Sequence, residues 1–188
     1  MTKTKRKKTK KLIVEAEVSL DGVVNNPDIW AEIFKYHSND VTTYLHELLL
    51  AQDALVLGRK TYEVFAHVWP ERDDENAKKI NSMAKYVASR SLKQSLDWNS
   101  TLIQGNLTEE IQKLKDEPGN SLLQYGIGEL TNSMLQHKLI DEIQLMIFPF
   151  TFGKGERWFD ILDVSSFELL ACKPFSSGAV LLRYRTGN

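Results

Sequence analysis

Ala54-Leu55-Val56-Leu57-Gly58-Arg59-Lys60-Thr61-Tyr62 packs a strand, a turn and a helix start into one short stretch. Four apolar residues in a row suit a strand buried on both faces, as in the middle of a parallel sheet. The run stops at Gly58, and Thr61 is placed to cap a following helix. Such a junction leaves backbone N–H groups free and presents the positive end of a helix dipole, which favours anions, phosphate above all. Arg59 and Lys60 add two positive charges there, although a plain turn with two solvated cations has the same composition. A second junction repeats the construction, with residues 121–125 running into Gly126-Ile127-Gly128-Glu129-Leu130. Its glycines let a backbone approach a ligand closely, while the six-residue dinucleotide fingerprint is absent.

Around these junctions, residues 11–18 read as a first strand, broken by Ser19-Leu20-Asp21-Gly22. Residues 23–39 have no regular period. Asn25-Asn26-Pro27 marks a turn there, and Trp30, Phe34 and Tyr36 either wall a flat ligand or pin the loop to the core. Asp40 is placed to cap a helix running to about Gln52. Residues 85–88 form a short strand ending in Ser89-Arg90-Ser91, a third strand end able to hold a phosphate. A helix over 108–117 with Thr108 as cap follows, then a strand over 141–152 whose Pro149 points to an edge or a bulge. Residues 167–173 and 179–184 close the chain as a hairpin. The alternation predicts an α/β fold with a mostly parallel central sheet, flanking helices and a C-terminal antiparallel hairpin. Ligands of such sheets sit at the carboxyl ends of strands, where Gly58, Ser89 and Gly126 fall; a multiply phosphorylated dinucleotide suits that convergence.

The chain has 188 residues, 42% of them hydrophobic and 26% charged, which predicts a soluble globular body with a substantial core. No apolar run approaches the ~20 residues needed to cross a bilayer, and the N-terminus lacks the apolar segment of a secretory signal. A lone cysteine, Cys172, excludes an internal disulfide and a cysteine-based zinc site, and fits a cytoplasmic setting. His37 and His46 have no partners at metal spacing, so no metal is expected. Residues 1–11 hold seven of the 24 basic residues and no acid, leaving 17 basic against 25 acidic residues in the remainder. The organisation expected is a basic, disordered tail over 1–10 and one domain over 11–188. An acidic body argues against nucleic acid as the main partner, but not against a small polyanion in a local basic pocket.

Seven short segments, in this order, are similar to segments of dihydrofolate-reductase-like proteins: Ser19-Leu20-Asp21-Gly22, residues 57–63, residues 86–90, residues 126–130, Asp141-Glu142-Ile143, Gly153-Lys154-Gly155 and residues 175–180. The chain most closely resembles the subgroup named for the C-terminal reductase domain of bacterial riboflavin biosynthesis, over about residues 11–186. The resemblance implies a dihydrofolate-reductase-like α/β fold, NADPH as hydride donor, a small-molecule substrate and a homodimer, for which the apolar 143–152 strand is a candidate surface. It places Arg59, Lys60 and Thr61 in the first phosphate loop after Gly58, Ser89 and Arg90 near the adenosine 2′-phosphate, and Gly126, Ile127, Gly128, Glu129 and Leu130 beneath the pyrophosphate and nicotinamide. Charge favours the same cofactor independently, because a 2′-phosphate prefers arginine whereas NADH prefers an acid at its ribose.

A reductase of this kind must hold the nicotinamide against an electrophilic carbon, exclude water and provide a proton. Asp21 and Asp40 are the candidate proton donors, each with a structural alternative as turn former and helix cap. Ser19 and Trp30 are the candidate substrate contacts. The riboflavin reductase domain usually has a glutamate directly before its glycine turn, where this chain has Gln124-Tyr125, and the chain also lacks the zinc-deaminase module often fused to that enzyme. The functional expectation is therefore an NADPH-dependent reductase of a small heterocycle, pyrimidine- or pterin-like. The alternatives are a 5-amino-6-(5-phosphoribosylamino)uracil reductase and a non-catalytic nucleotide sensor.

Overall fold

The computed structural model describes residues 9–93 and 96–187. The expected tail lies outside them up to residue 8, whereas Lys10 is buried and pairs with Glu117 at 2.9 Å.

In chain order the elements are β1 (Lys11–Ser19), β2 (Val23–Asn25), α1 (Ile29–Ile33), a 3-10 turn (Phe34–Tyr36), α2 (Asn39–Leu50), β3 (Ala54–Gly58), α3 (Arg59–Val68), α4 (Glu75–Ser82), β4 (Ala84–Ala88) and β5 (Ser100–Leu102). There follow α5 (Leu107–Asp116), β6 (Ser121–Tyr125), α6 (Glu129–Gln136), β7 (Glu142–Phe148), β8 (Glu156–Arg157), α7 (Trp158–Ile161), β9 (Phe167–Pro174) and β10 (Val180–Thr186). The main sheet has eight strands in the order β5-β4-β3-β6-β1-β7-β10-β9. The first six run parallel, and the β9–β10 hairpin adds the antiparallel edge, as the alternation predicts.

Strand β1 shows why the sheet needs helices on both sides. Leu12, Val14, Ala16 and Val18 pack with Ile111 and Leu114 of α5 and Met134 of α6. Ile13 points the other way, toward Leu49 of α2, Tyr62 of α3 and Ile80 of α4. A third cluster joins Ile29, Ile33 and Val41 to Met146 and Phe148 of β7. Burial of each such side chain contributes roughly 1.5–3 kcal/mol, so the core rests on this alternation rather than on helix propensity.

Several local expectations need correcting. Helix α3 starts at Arg59 with Gly58 as its N-cap, three residues before the expected cap at Thr61. Ser38, not Asp40, occupies the N-cap of α2, and Asn106 rather than Thr108 caps α5, its Oδ1 accepting from Thr108 N and Glu109 N. Residues 23–39 are not an irregular loop: Ile29 and Ile33, four apart and buried, wind α1 onto the core. Tyr36 stacks on Phe150 at 5.6 Å and pins the segment, while Trp30 and Phe34 stay exposed. Strand β7 lies between β1 and β10, so it is not an edge, and its backbone has no free side to offer a second copy; Pro149 simply follows its end.

The Ser19–Gly22 turn is clamped to the segment after β7. Asp21 Oδ1 accepts from Ser19 Oγ at 2.6 Å and Phe152 N at 2.9 Å, and its Oδ2 accepts from Gly153 N at 2.9 Å. Partial burial pushes this carboxyl up, but the hydrogen bonds outweigh it and hold the pKa down at about 2. Gly22 has φ +82°, and a Cβ there would run into the Phe159 ring. A carboxyl whose folded pKa is depressed stabilises the fold fully above its unfolded pKa and loses that contribution as pH falls through the folded value. Asp21→Asn is therefore expected to cost about 1–2 kcal/mol near neutral pH and to flatten the acid limb of the stability curve between about pH 4 and pH 2. Gly22→Ala is expected to cost about 1–3 kcal/mol. Urea unfolding across pH measures both; midpoints equal to wild type would contradict the clamp.

Candidate active site

Strands β4, β3 and β6 are adjacent and parallel, with Gly58 opposite Ala88 and Leu55 opposite Leu123. Their carboxyl ends therefore bring Gly58–Thr61, Ser89–Arg90 and Gly126–Leu130 to one edge of the sheet. The first and third turns are neighbours in space: a Cβ at Gly58 would lie 3.9 Å from Leu130 Cδ2. Helix α3 opens here with no side-chain cap, leaving its first N–H groups without a side-chain acceptor, and Arg59 and Lys60 are exposed beside it. Arg59 bonds Glu63 at 2.9 Å across one helical turn, an exposed pair of small net strength that an incoming phosphate can displace. Arg90 is also exposed, whereas Ser89 Oγ accepts from Ser91 N and Leu92 N and so builds its own turn.

Gly126 has φ +78°, a conformation that calls for glycine, and its N–H donates to the Glu15 carbonyl at 2.7 Å. Space over the turn is open: a Cβ at Gly126 or Gly128 would meet nothing within 4 Å. Ile127 is buried in the core and fixes the turn from below, while Glu129 is exposed. Gln124 braces the same turn, donating to the Gly126 carbonyl at 2.9 Å and to Thr131 Oγ1 at 2.6 Å. The residue that departs from the family pattern thus has a local role.

The two candidate acids are engaged elsewhere. Asp21 holds the clamp described above. Asp40 accepts from Ser38 Oγ at 2.5 Å and from both N and Oγ of Ser176 at 2.8 Å, tying the start of α2 to the β9–β10 hairpin. Those bonds, Ser38's first, hold its carboxyl well below the usual carboxylate range. Both groups are anions near neutral pH. Ser19 is buried, donating to Asp21 and accepting from Val23 N at 3.0 Å. Trp30 is exposed and contacts Phe34 at 5.9 Å; Phe34 meets His37 at 5.3 Å, and His37 Nε2 lies 3.1 Å from Glu17 Oε2.

That chain of contacts leads to residues the sequence reading passed over. Glu15 and Glu17 are the acids of β1, two apart in a strand that is otherwise apolar from Leu12 to Val18, and so project from the same face. Glu15 is only 3% exposed, and its Oε1 has no hydrogen-bond partner. It lies between Tyr125 of β6 and Gln144 of β7 in the sheet register. Burial, and then the charge of Glu17, push its pKa well above the usual carboxylate value. Tyr44 of α2 donates to Gln144 Oε1, and its phenol is pushed up to about 12 by burial, opposed by Arg183 and reinforced by Glu15 and Glu142. Tyr125 is raised likewise, by burial and then by the charges of Glu15 and Glu17. The signal available in the sequence was the spacing itself: acids at alternate positions of a buried strand have no solvent to face.

Among the described residues there is no cluster able to hold a metal ion, and no helix is long and apolar enough to cross a membrane. Residues 10–181 match the family model of the RibD C-terminal domain. The chain is 28% identical over 190 residues to the uncharacterized protein YyaP of Bacillus subtilis (strain 168), covering 96% of this chain and 97% of that one. Solved structures share the fold. A protein ascribed to riboflavin biosynthesis from Shewanella sp. PV-4 superposes with a TM-score of 0.73 at 23% identity, covering 95% of this chain and 99% of that chain. The deaminase/5-amino-6-(5-phosphoribosylamino)uracil reductase of Thermotoga maritima gives 0.64 at 16% identity, covering 96% of this chain and 58% of that longer one. Dihydrofolate reductase of Enterococcus faecalis, complexed with NADP(H), gives 0.63 at 15% identity, covering 95% of this chain and 97% of that one. With the family match reaching across nearly all of the chain, on a dihydrofolate-reductase-like fold, the protein belongs to the RibD C-terminal domain family.

Proposed function

We propose that the protein is an NADPH-dependent reductase of a small, flat heterocycle of the pyrimidine or pterin class. The observation that carries this reading is the side-by-side placement of three strand-end turns, two opening helices of eight residues or more, with Arg59, Lys60 and Arg90 exposed among them. A dinucleotide needs that combination of free N–H groups, cations and glycine clearance. The open space above Gly126 and Gly128 fits the approach of a pyrophosphate and nicotinamide to the backbone. In this reading Gly58, Arg59, Lys60 and Thr61 hold one phosphate group, Ser89 and Arg90 the 2′-phosphate, and Gly126 to Leu130 the glycine-turn side of the cofactor. When bound, NADPH supplies the hydride.

The chain's own residues then do the rest. Asp21 and Ser19 hold the turn at the end of β1 in place, and Asp40 fixes α2, the roof of the substrate side; both aspartates act by positioning. Trp30, exposed beside Phe34, offers an outer wall for a planar ligand. A homodimer would use the free edge of β9, where Leu169 is exposed, rather than the enclosed β7.

Fluorescence titration tests the cofactor reading. NADPH is expected to bind more tightly than NADH, and Arg59→Ala to weaken NADPH by about tenfold, the loss of one charge-assisted contact. Binding of neither nucleotide, or an Arg59→Ala protein indistinguishable from wild type, would contradict it.

A further inference from the structure

Among the described residues three lysines are buried, and two of them face acids: Lys10 pairs with Glu117 at 2.9 Å and Lys115 with Asp141 at 2.6 Å. Lys85, at the start of β4, is the most deeply buried of the three and pairs with no acid among the described residues. Its ammonium donates to the carbonyls of Asn81 at 3.0 Å and Met83 at 2.9 Å, at the end of α4, and lies 4.1 Å from the centre of the Trp98 ring. Two carbonyls and a π face occupy its three donors, but none of them carries a full negative charge to offset desolvation. Burial pulls its pKa down to about 8. Leu55 of β3 and Ser100 of β5 flank it in register. Of the charged residues on α4 and beside Trp98, Glu75, Lys78 and Asp97 are exposed, and Lys79 is bonded to the Gln52 carbonyl.

The cover over this charge is itself strained. Trp98 and Asn99 both have left-handed backbone, with φ +61° and +51°, a conformation that a bulky residue rarely adopts. Hydrogen bonds hold the turn down: Trp98 Nε1 donates to Asn81 Oδ1 at 2.6 Å, Asn99 Nδ2 to the Ser82 and Met83 carbonyls at 3.0 and 2.9 Å, and Lys85 N to the Asn99 carbonyl at 3.0 Å. The turn leads into β5, three residues at the edge of the sheet. Backbone strain and a charge without a counter-ion favour release, while these bonds oppose it, which makes the turn a bistable element.

We propose that the Trp98–Asn99 turn, with edge strand β5, is a proton-sensitive latch over Lys85: it lifts to let the ammonium reach water and shuts more firmly over the neutral amine. The neutral amine keeps two donors, one for each carbonyl, and sheds the desolvation cost. Lifting returns the lysine to its ordinary pKa of about 10.4, so opening takes up a proton wherever the closed latch has lost one. Closure therefore strengthens as pH rises from about 8 toward 10. Strand β5 carries the effect to the candidate nucleotide edge, where Ile103 N donates to the Val87 carbonyl at 2.9 Å, next to the Ser89–Arg90 turn. The steadying of Ser89 and Arg90 by the shut latch is the one consequence that rests on the cofactor reading.

Hydrogen exchange at the Trp98 indole N–H, followed by NMR on the full chain and divided by the rate of free indole at each pH, gives the opening constant. Trp98→Phe assigns the signal. In wild type the constant is expected to fall about tenfold between about pH 7 and pH 9. In Lys85→Met it should be flat over the same range, whatever its level. Lysine Cε chemical shifts supply a reading that needs no change at Lys85. One lysine is expected to titrate near pH 8, and in Trp98→Ala, where the cover is gone, to rejoin the others near about pH 10. A wild-type constant that is pH-independent or rises with pH, an undiminished slope in Lys85→Met, or wild-type lysines that all titrate together would each overturn the proposal. Saturating NADPH is expected to slow the exchange further, and bound NADPH that leaves it unchanged would overturn the link to the nucleotide edge. Failure of NADPH to bind would instead sink the cofactor reading, and the nucleotide-free exchange would still decide the latch.

Discussion

Strand β1 hydrogen-bonds in parallel to β6 on one side and β7 on the other, and most of the molecule hangs on that double pairing. A strand so placed has no solvent edge and no solvent face, so its side chains must find partners above and below. On one face they do so with aliphatic residues from α5 and α6. On the other, Ile13 joins the aliphatic core while Glu15, Glu17 and Ser19 make a polar line whose two ends, Glu15 and Ser19, are buried. The end of the strand is closed by the Asp21 clamp, and its middle is tied through the Glu15 carbonyl to the glycine turn of the next strand. One strand therefore sets the position of the turn, the buried acid and the sheet edge proposed here for a nucleotide.

Much of this was legible in the residues. A run of four apolar residues ending in glycine, followed by cations, is a strand-to-helix junction whichever protein carries it, and Gly58 and Gly126 stand where that reading places them. The closing hairpin was equally plain, because Gly178 and its neighbours permit little else. Helix starts were harder. Thr61 and Thr108 have the right chemistry for caps, but Gly58 and Asn106 reach extended backbone first, and the helix begins at the first residue able to do so. Helix α1 was hidden because a five-residue segment anchored by Ile29 and Ile33 carries less than two turns of periodicity, and Asn25-Asn26-Pro27 beside it reads as turn.

The strand-end turns of the candidate site were legible in the sequence and the surroundings of its acids were not, for a physical reason. Anion-binding turns are local: glycine, helix start and cation lie within a few residues of one another, and the sheet then brings such turns together. The acid half is non-local. Asp21 and Asp40 looked available because their partners, Phe152, Gly153 and Ser176, lie more than a hundred residues away. Glu15 looked like an ordinary strand residue because nothing nearby in sequence says that Arg183 pairs with Glu142 and leaves it alone.

The central claim is that one edge of the sheet, at the ends of β3, β4 and β6, is a dinucleotide site beside the buried acid of β1. Backbone amide NMR of the labelled protein titrated with NADPH examines it most directly. The account predicts that the largest shifts fall at Gly58–Thr61, Ser89–Arg90 and Gly126–Leu130, with a smaller response at Glu15 through its bond to Gly126. Shifts concentrated on the β9–β10 hairpin, or a spectrum that NADPH leaves unchanged, would contradict it.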